Sequence, residues 1–213
     1  MPTSSQWLAF LIASLLFIQV PGPSLLFAIG RALTVGRRDA LLSVVGNGLG
    51  LMLQVCLVAL GLGAVVAASA TAYTVLKLVG AAYVVWLGIQ AIRTRAEARH
   101  ALEQAPATMP ERGPAARSVR VGLIVGATNP KTIVFFVAFL PQFTHDGAGS
   151  AGLQVALLGL AFGLLAIASD SVWTFAASKA RDWFSRKPRR LDLLGATGGV
   201  MMVGLGATMV VAE

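Results

Sequence analysis

The chain of 213 residues holds one cysteine, two histidines and little charge, with 12% Asp, Glu, Lys and Arg together. A lone Cys56 excludes an internal disulfide and a paired-thiol electron relay. His100 and His145 lie in polar stretches and pair with nothing by spacing. Asp170 is the one acidic residue well inside an apolar segment. A Ser/His hydrolase thus lacks its base there, and an aspartyl site lacks its second carboxylate. A metal site would need clustered Asp, Glu, His or Cys, and Asp170 alone does not suffice. No enzyme, metal or cofactor is expected.

Apolar residues fill the chain instead, at 56% hydrophobic with a mean hydropathy of +0.77. No soluble domain of this size needs so much apolar surface. The expectation is an all-α membrane protein, a single polytopic domain over 1–213 with the lipid bilayer as solvent. The N-terminus has no basic start and its apolar run is too long, so it is not expected to be a secretory signal. The charge-poor runs divide into six spans, at about 7–30, 41–66, 73–92, 121–143, 153–178 and 193–212. Spans two and three come from a stretch interrupted only by Lys77, which as one helix would overshoot a ~30 Å hydrocarbon core roughly twofold or more. Its turn is assigned to the small residues 67–72.

The net charge of +8 would suggest nucleic acid in a soluble protein. Here 15 of the 17 basic residues lie in the loops after spans one, three and five, and none in the other loops or the tails. That distribution reads as topology, with the basic loops in the cytoplasm and both termini outside, and no nucleic-acid partner. Three spans per half is an odd number, so two repeated halves would be inverted: repeat one about 5–92, a cytoplasmic linker about 93–120 whose start extends span three as an exposed helix, and repeat two about 121–212. Each half begins with a span that carries a break, Pro21-Gly22-Pro23 in span one and Asn129-Pro130-Lys131 in span four. Proline lacks an N–H and its ring clashes with the preceding turn, so both helices must kink or break. A freed backbone group in hydrocarbon is tolerated only against protein or a wet cavity. Such breaks are either structural hinges or, in corresponding positions of two inverted halves, pointers to a transporter's midplane site.

Span two carries Ser43, Asn47, Gly50 and Gln54 on one helical face, which suits interhelical hydrogen bonds or a cavity wall. Asp170 lies on a face of small and polar residues, Gly159, Gly163, Ala166, Thr174 and Ala177, about 7 Å to the cytoplasmic side of its span's middle by helical rise. An ionisable group at that depth is a functional candidate, here for carrying a coupling proton, or else one half of an ion pair with Lys131. Lys77 is placed to snorkel, and Tyr83, Trp86 and Trp173 to pack or anchor. Four G-x-x-x-G pairs, at 46/50, 122/126, 159/163 and 195/199, argue for close helix packing, inside one protomer or across a homodimer.

A small zwitterionic solute at such a site would need a partner for each of its charges, its carboxylate and its ammonium. Helices that restart after Gly22-Pro23 and Pro130 offer free N–H groups to a carboxylate, and Lys131 adds a full positive charge. Carbonyls freed near Ile18 and Gly126, or Asn47 or Asp170, would meet the ammonium. The candidate binding residues are therefore Pro21, Gly22, Pro23, Asn47, Asn129, Pro130 and Lys131, with Asp170 for coupling.

Taken in order, Pro21-Gly22-Pro23, the Gly-rich second span, Leu76-Lys77 with Gly80-Ala81-Ala82-Tyr83, Asn129-Pro130-Lys131 with Phe135-Phe136, Leu140-Pro141-Gln142-Phe143, and Asp170 with Trp173 resemble the LysE/RhtB family across essentially the whole chain. Ser24 stands where members often carry Asn or Asp. The resemblance implies a bacterial inner-membrane exporter of amino acids such as lysine, homoserine, threonine or leucine, driven by exchange with protons.

Overall fold

The computed structural model describes residues 2–68, 70–103, 113–145, 147, 149–180, 183, 186–187 and 189–211. Among them the regular structure is helical. The order is α1 (Ser4–Gln19), α2 (Pro23–Thr34), α3 (Arg37–Ala68), α4 (Ala70–Arg93), α5 (Glu97–Glu103), α6 (Ala115–Ala127), α7 (Pro130–Ala138), a 3-10 turn (Leu140–Phe143), α8 (Ala151–Lys179) and α9 (Arg189–Val211). Segment 37–61 of α3, and α8, are each long and apolar enough to cross a bilayer. The pairs α1/α2 and α6/α7 also qualify, each as one span bent at its proline break, by 50° and 49°. Helices α4 and α9, of 24 and 23 residues, have the length of a span.

Local chemistry sets these boundaries. Thr3 opens α1 with a capping box to Gln6. Proline occupies the first position of both α2 and α7, where its missing N–H costs nothing. Gly36, at φ 89°, makes the left-handed turn into α3. The turn expected at 67–72 agrees with the boundary between α3 and α4; Ser69 lies outside the described residues, as does the side chain of Lys77.

The linker differs from expectation. Helix α4 stops at Arg93, and α5 is a separate short helix rather than a continuation. Arg99 pins it to α9 through Asp192, at 3.0 Å, and pairs with Glu103 at 3.2 Å. These hydrogen bonds, that to Asp192 foremost, raise the guanidinium above its ordinary pKa. The second bent span begins earlier than expected, at Ala115, so 115–120 is helix rather than linker. The remaining proline-bearing piece, 104–112, lies outside the described residues.

Polarity is arranged as a bilayer requires. Leu60, Leu164 and Val172 point outward, whereas Asn47, Gln54, Asn129, Lys131 and Asp170 are buried. Two apolar clusters bracket that polar layer. One is aromatic, with Phe10, Phe17, Phe135, Phe136 and Phe162 from α1, α7 and α8. The other, toward the basic loops, joins Leu25, Ile29 and Leu33 to Ala40, Ala177 and Leu191.

The G-x-x-x-G pairs are used within the chain. Gly46 and Gly50 face Gly122 and Gly126, so that α3 and α6 touch backbone to backbone: a Cβ at Gly122 would overlap the Ser43 carbonyl, and one at Gly126 that of Asn47. Gly199 of α9 meets the backbone of Gly88 in α4, Gly195 packs on Arg95, and Gly159 and Gly163 receive Val55 and Met52. Arg31 adds a polar clasp to the α3–α6 pair, donating to Ser43 at 3.2 Å and Ser118 at 3.0 Å.

Candidate functional site

Each break leaves carbonyl groups without helical donors. At the first, Pro21 has no N–H for the Phe17 carbonyl one turn before it, and Val20 ends α1 with its own carbonyl free. One side chain from the other half of the molecule meets both. The Lys131 ammonium donates to the Phe17 oxygen at 2.8 Å and the Val20 oxygen at 2.6 Å, and lies 4.3 Å from the centre of the Phe17 ring. Gly22 makes room for it, since a Cβ there would stand 2.7 Å from Lys131 Cδ.

The second break is answered in the opposite direction. Pro130 deprives Gly126 of its donor one turn on, and the Asn129 N–H reaches that carbonyl instead at 3.3 Å. The Lys131 N–H that would serve Ala127 donates instead to the capping Asn129 Oδ1 at 3.1 Å. The carbonyls of Gly126, Ala127 and Asn129 converge on the Gln54 amide, whose Nε2 lies 2.8, 3.1 and 3.1 Å from them. Thr132 donates to Gln54 Oε1 at 2.8 Å and holds that amide in place.

A chain of side chains joins the two breaks. Asn129 Nδ2 donates to Ser24 Oγ at 2.7 Å, Ser24 Oγ to Asn47 Oδ1 at 3.0 Å, and Asn47 Nδ2 to Asp170 Oδ2 at 3.4 Å. It runs from α7 through α2 and α3 to α8. Among the described residues no cation lies within ion-pair distance of Asp170; the ion pair with Lys131 considered from sequence is not formed, because the Lys131 ammonium is turned to the carbonyls.

The cavity enclosed by these groups has a free volume of about 30 Å³, room for a water rather than an amino acid. Of the residues expected at the site, Gly22, Asn47, Asn129, Lys131 and Asp170 line it. The three prolines do not. Pro23 lines a second cavity of about 350 Å³, which shares Gly22 with the first and opens among Gln90, Thr94, Arg95 and Glu97. Pro130 faces an apolar pocket beside Val79 and Tyr83, and Pro21 packs against Gly198. What the prolines do is shape the breaks.

Ser24, Phe17, Thr132 and Gln54 are further site residues. Ser24 had a signal, since it follows Pro23 as Lys131 follows Pro130. Gln54 had one in its polar stripe, whose residues divide the work among them. Ser43 joins helices, Gly50 packs, Asn47 faces the cavity and Gln54 holds the break. Phe17 is an ordinary apolar residue in sequence. Trp173, expected to pack or anchor, donates to Gln19 Oε1 at 3.0 Å, next to the first break.

Known proteins share this sequence over nearly its whole length. The chain is 36% identical over 208 residues to an uncharacterized membrane protein of Vibrio cholerae, with 97% of each chain covered. It is 30% identical over 212 residues to a homoserine/homoserine lactone efflux protein of Salmonella typhimurium, covering 99% of this chain and 98% of the relative. It is 25% identical over 193 residues to a threonine efflux protein of Salmonella typhi, covering 91% of each. No solved structure matches. The LysE type translocator family matches residues 15–213, and with that extent of agreement the chain belongs to this family.

Proposed function

We propose that the protein is a secondary transporter that exports amino acids or close derivatives from the bacterial cytoplasm. It works by alternating access about the cavity between the two breaks, with a proton carried on Asp170. The observation that carries this reading is the reciprocal bracing of the breaks: Lys131 of the second half holds the first, and Gln54 of the first half holds the second. A rocking motion of one half against the other would have to remake these bonds, which makes the midplane the natural place for substrate to set the balance.

The substrate class follows from the relatives and from the site. The Salmonella typhimurium relative is named for homoserine and homoserine lactone, and the threonine relative for another small polar amino acid. Homoserine and its lactone share an ammonium but not a carboxylate. Among groups lining the cavity, Asp170 and the freed carbonyls suit an ammonium, and the Asn129 amide and Lys131 a carboxylate.

Six spans in two inverted halves, repeat one about 5–92 and repeat two about 121–212, are the architecture we infer. Supporting it are the near-equal bends of 50° and 49° and the pairing of α3 with α8 and of α4 with α9, the helices that such halves would bring together. The larger cavity beside Gly22 then serves as the cytoplasmic approach. In the inner membrane both termini would face outward.

Counterflow in proteoliposomes tests the transport reading over homoserine, threonine and leucine. A carrier shows trans-stimulation by at least one of them; a scaffold or channel shows none. Cysteines introduced at positions 3 and 211, in a protein with Cys56 replaced, test the orientation. Labelling of either only after permeabilisation would reverse it.

A further inference from the structure

The side chain that satisfies the first break is itself an ammonium. Lys131 Nζ sits between two carbonyl oxygens, at 2.8 and 2.6 Å, and over the Phe17 ring at 4.3 Å. Two acceptors without a competing donor, beside an aromatic face, form a site for a primary ammonium in general. The α-ammonium of an amino acid has the same three N–H donors and the same charge. Lys131 also occupies space: its stem lies against Gly22, and the cavity beside it holds only about 30 Å³. An amino acid cannot enter between the breaks while Lys131 stays there.

We propose that the Phe17 and Val20 carbonyls and the Phe17 ring are the subsite for the substrate's ammonium, and that Lys131 fills it as a tethered surrogate until substrate displaces it. The released Lys131 then meets the substrate's carboxylate or, for a carboxylate-free amine, turns to Asp170, which lines the same cavity. Each ammonium, that of Lys131 and that of the substrate, keeps oxygen partners throughout, as a buried cation must. The subsite rests on the transport reading above and adds to it a specific competitor. Every substrate binds against the fraction of molecules in which Lys131 already holds the place.

The test compares wild type with Lys131→Met, each purified in lipid nanodiscs. Calorimetry measures binding of homoserine, threonine and leucine and of the amide of each. The amides keep the ammonium and lack the carboxylate. Lys131→Met should bind them roughly tenfold or more tightly than wild type, because the competitor is gone. The free amino acids should gain less, because the variant also lacks the partner for their carboxylate. A second measurement needs only wild-type lysine. The chain has four lysines, 77, 131, 179 and 187. With ε-carbon labelling and arginine at the other three, the Lys131 signal should lie upfield under the Phe17 ring current. It should move downfield when an amide binds. An amide that binds wild type without shifting that signal overturns the subsite; a shift supports it, and this measurement decides if Lys131→Met does not fold. Should wild type neither bind nor exchange any of the compounds, the transport reading falls and the subsite with it. Binding to wild type with no tightening in a folded Lys131→Met and no shift removes the subsite alone.

Discussion

The two breaks have the same design and opposite solutions. Both place proline at the first position of a restarting helix, and both bend their span by about the same angle, 50° and 49°. At the first, the N-cap is Gly22, which offers no side chain, and the orphaned carbonyls are met by the Lys131 ammonium. At the second, the N-cap is Asn129, whose side chain closes the turn, and the carbonyls are met by a neutral amide locked by Thr132. The difference lies in what holds each break: one side chain on a long aliphatic stem at the first, an amide fixed at both ends at the second. A lysine on a flexible stem can leave its carbonyls without changing the backbone. Gln54 is tied to three carbonyls and a hydroxyl and has little freedom to go elsewhere.

Breaking the rigid side should have the largest effect. Gly122→Val puts two methyls where the Ser43 carbonyl lies, pushes α6 off α3 and carries the second break away from Gln54. We expect about 3 kcal/mol or more of destabilisation, seen as loss of monodisperse protein in fluorescence-detected size exclusion. Wild-type accumulation would show that the α3–α6 contact is not what seats Gln54.

Gln54→Leu removes the amide and leaves three buried carbonyls without it. Gly126 keeps the Asn129 N–H and Asn129 the Ile133 N–H, so the Ala127 carbonyl bears the loss; an unsatisfied group costs about 1–3 kcal/mol, and a destabilisation of that size is expected in thermal unfolding. A loss well below that found for Lys131→Met would reverse the contrast drawn between the breaks.

Asp170→Asn should abolish uphill export while sparing exchange. The amide is close in size and still faces Asn47, but it cannot carry a proton. Export against a gradient by a proton-loaded vesicle, compared with counterflow in its absence, separates the two activities. Uphill export at the wild-type rate would reduce Asp170 to a structural end of the polar chain.

Ser24→Ala should act most mildly. It cuts the link between Asn129 and Asn47 and leaves both breaks braced. A buried hydrogen bond is worth about 1 kcal/mol, so substrate affinity should fall several-fold with little change in thermal stability. Unchanged affinity would mean that the chain between the breaks does not align the substrate's partners.

Much of the fold was legible because it follows from local rules. The helical breaks come from covalent chemistry: Pro21, Pro23 and Pro130 have no N–H, whatever surrounds them. The inward face of α3 came from spacing alone, since residues three and four apart share a side of a helix. The apolar runs had to be helices, because a backbone in hydrocarbon must satisfy itself. The linker was less legible. A polar stretch that leaves the bilayer is free of that constraint, and α5 ends up separate from α4, held by an Arg99–Asp192 pair between residues 93 positions apart.

Where carbonyls are stranded can be read from the order of residues; which groups rescue them cannot. Stranding is a property of one turn of chain, so Pro21 announces the orphaned Phe17 carbonyl four residues earlier. Rescue needs a donor that folding brings from elsewhere, and the donor to Phe17 lies 114 positions away. Lys131 read alone as a free positive charge for a carboxylate. Folded, its ammonium belongs to the opposite break, because a buried charge needs close acceptors, and the stranded carbonyls that proline has made supply them.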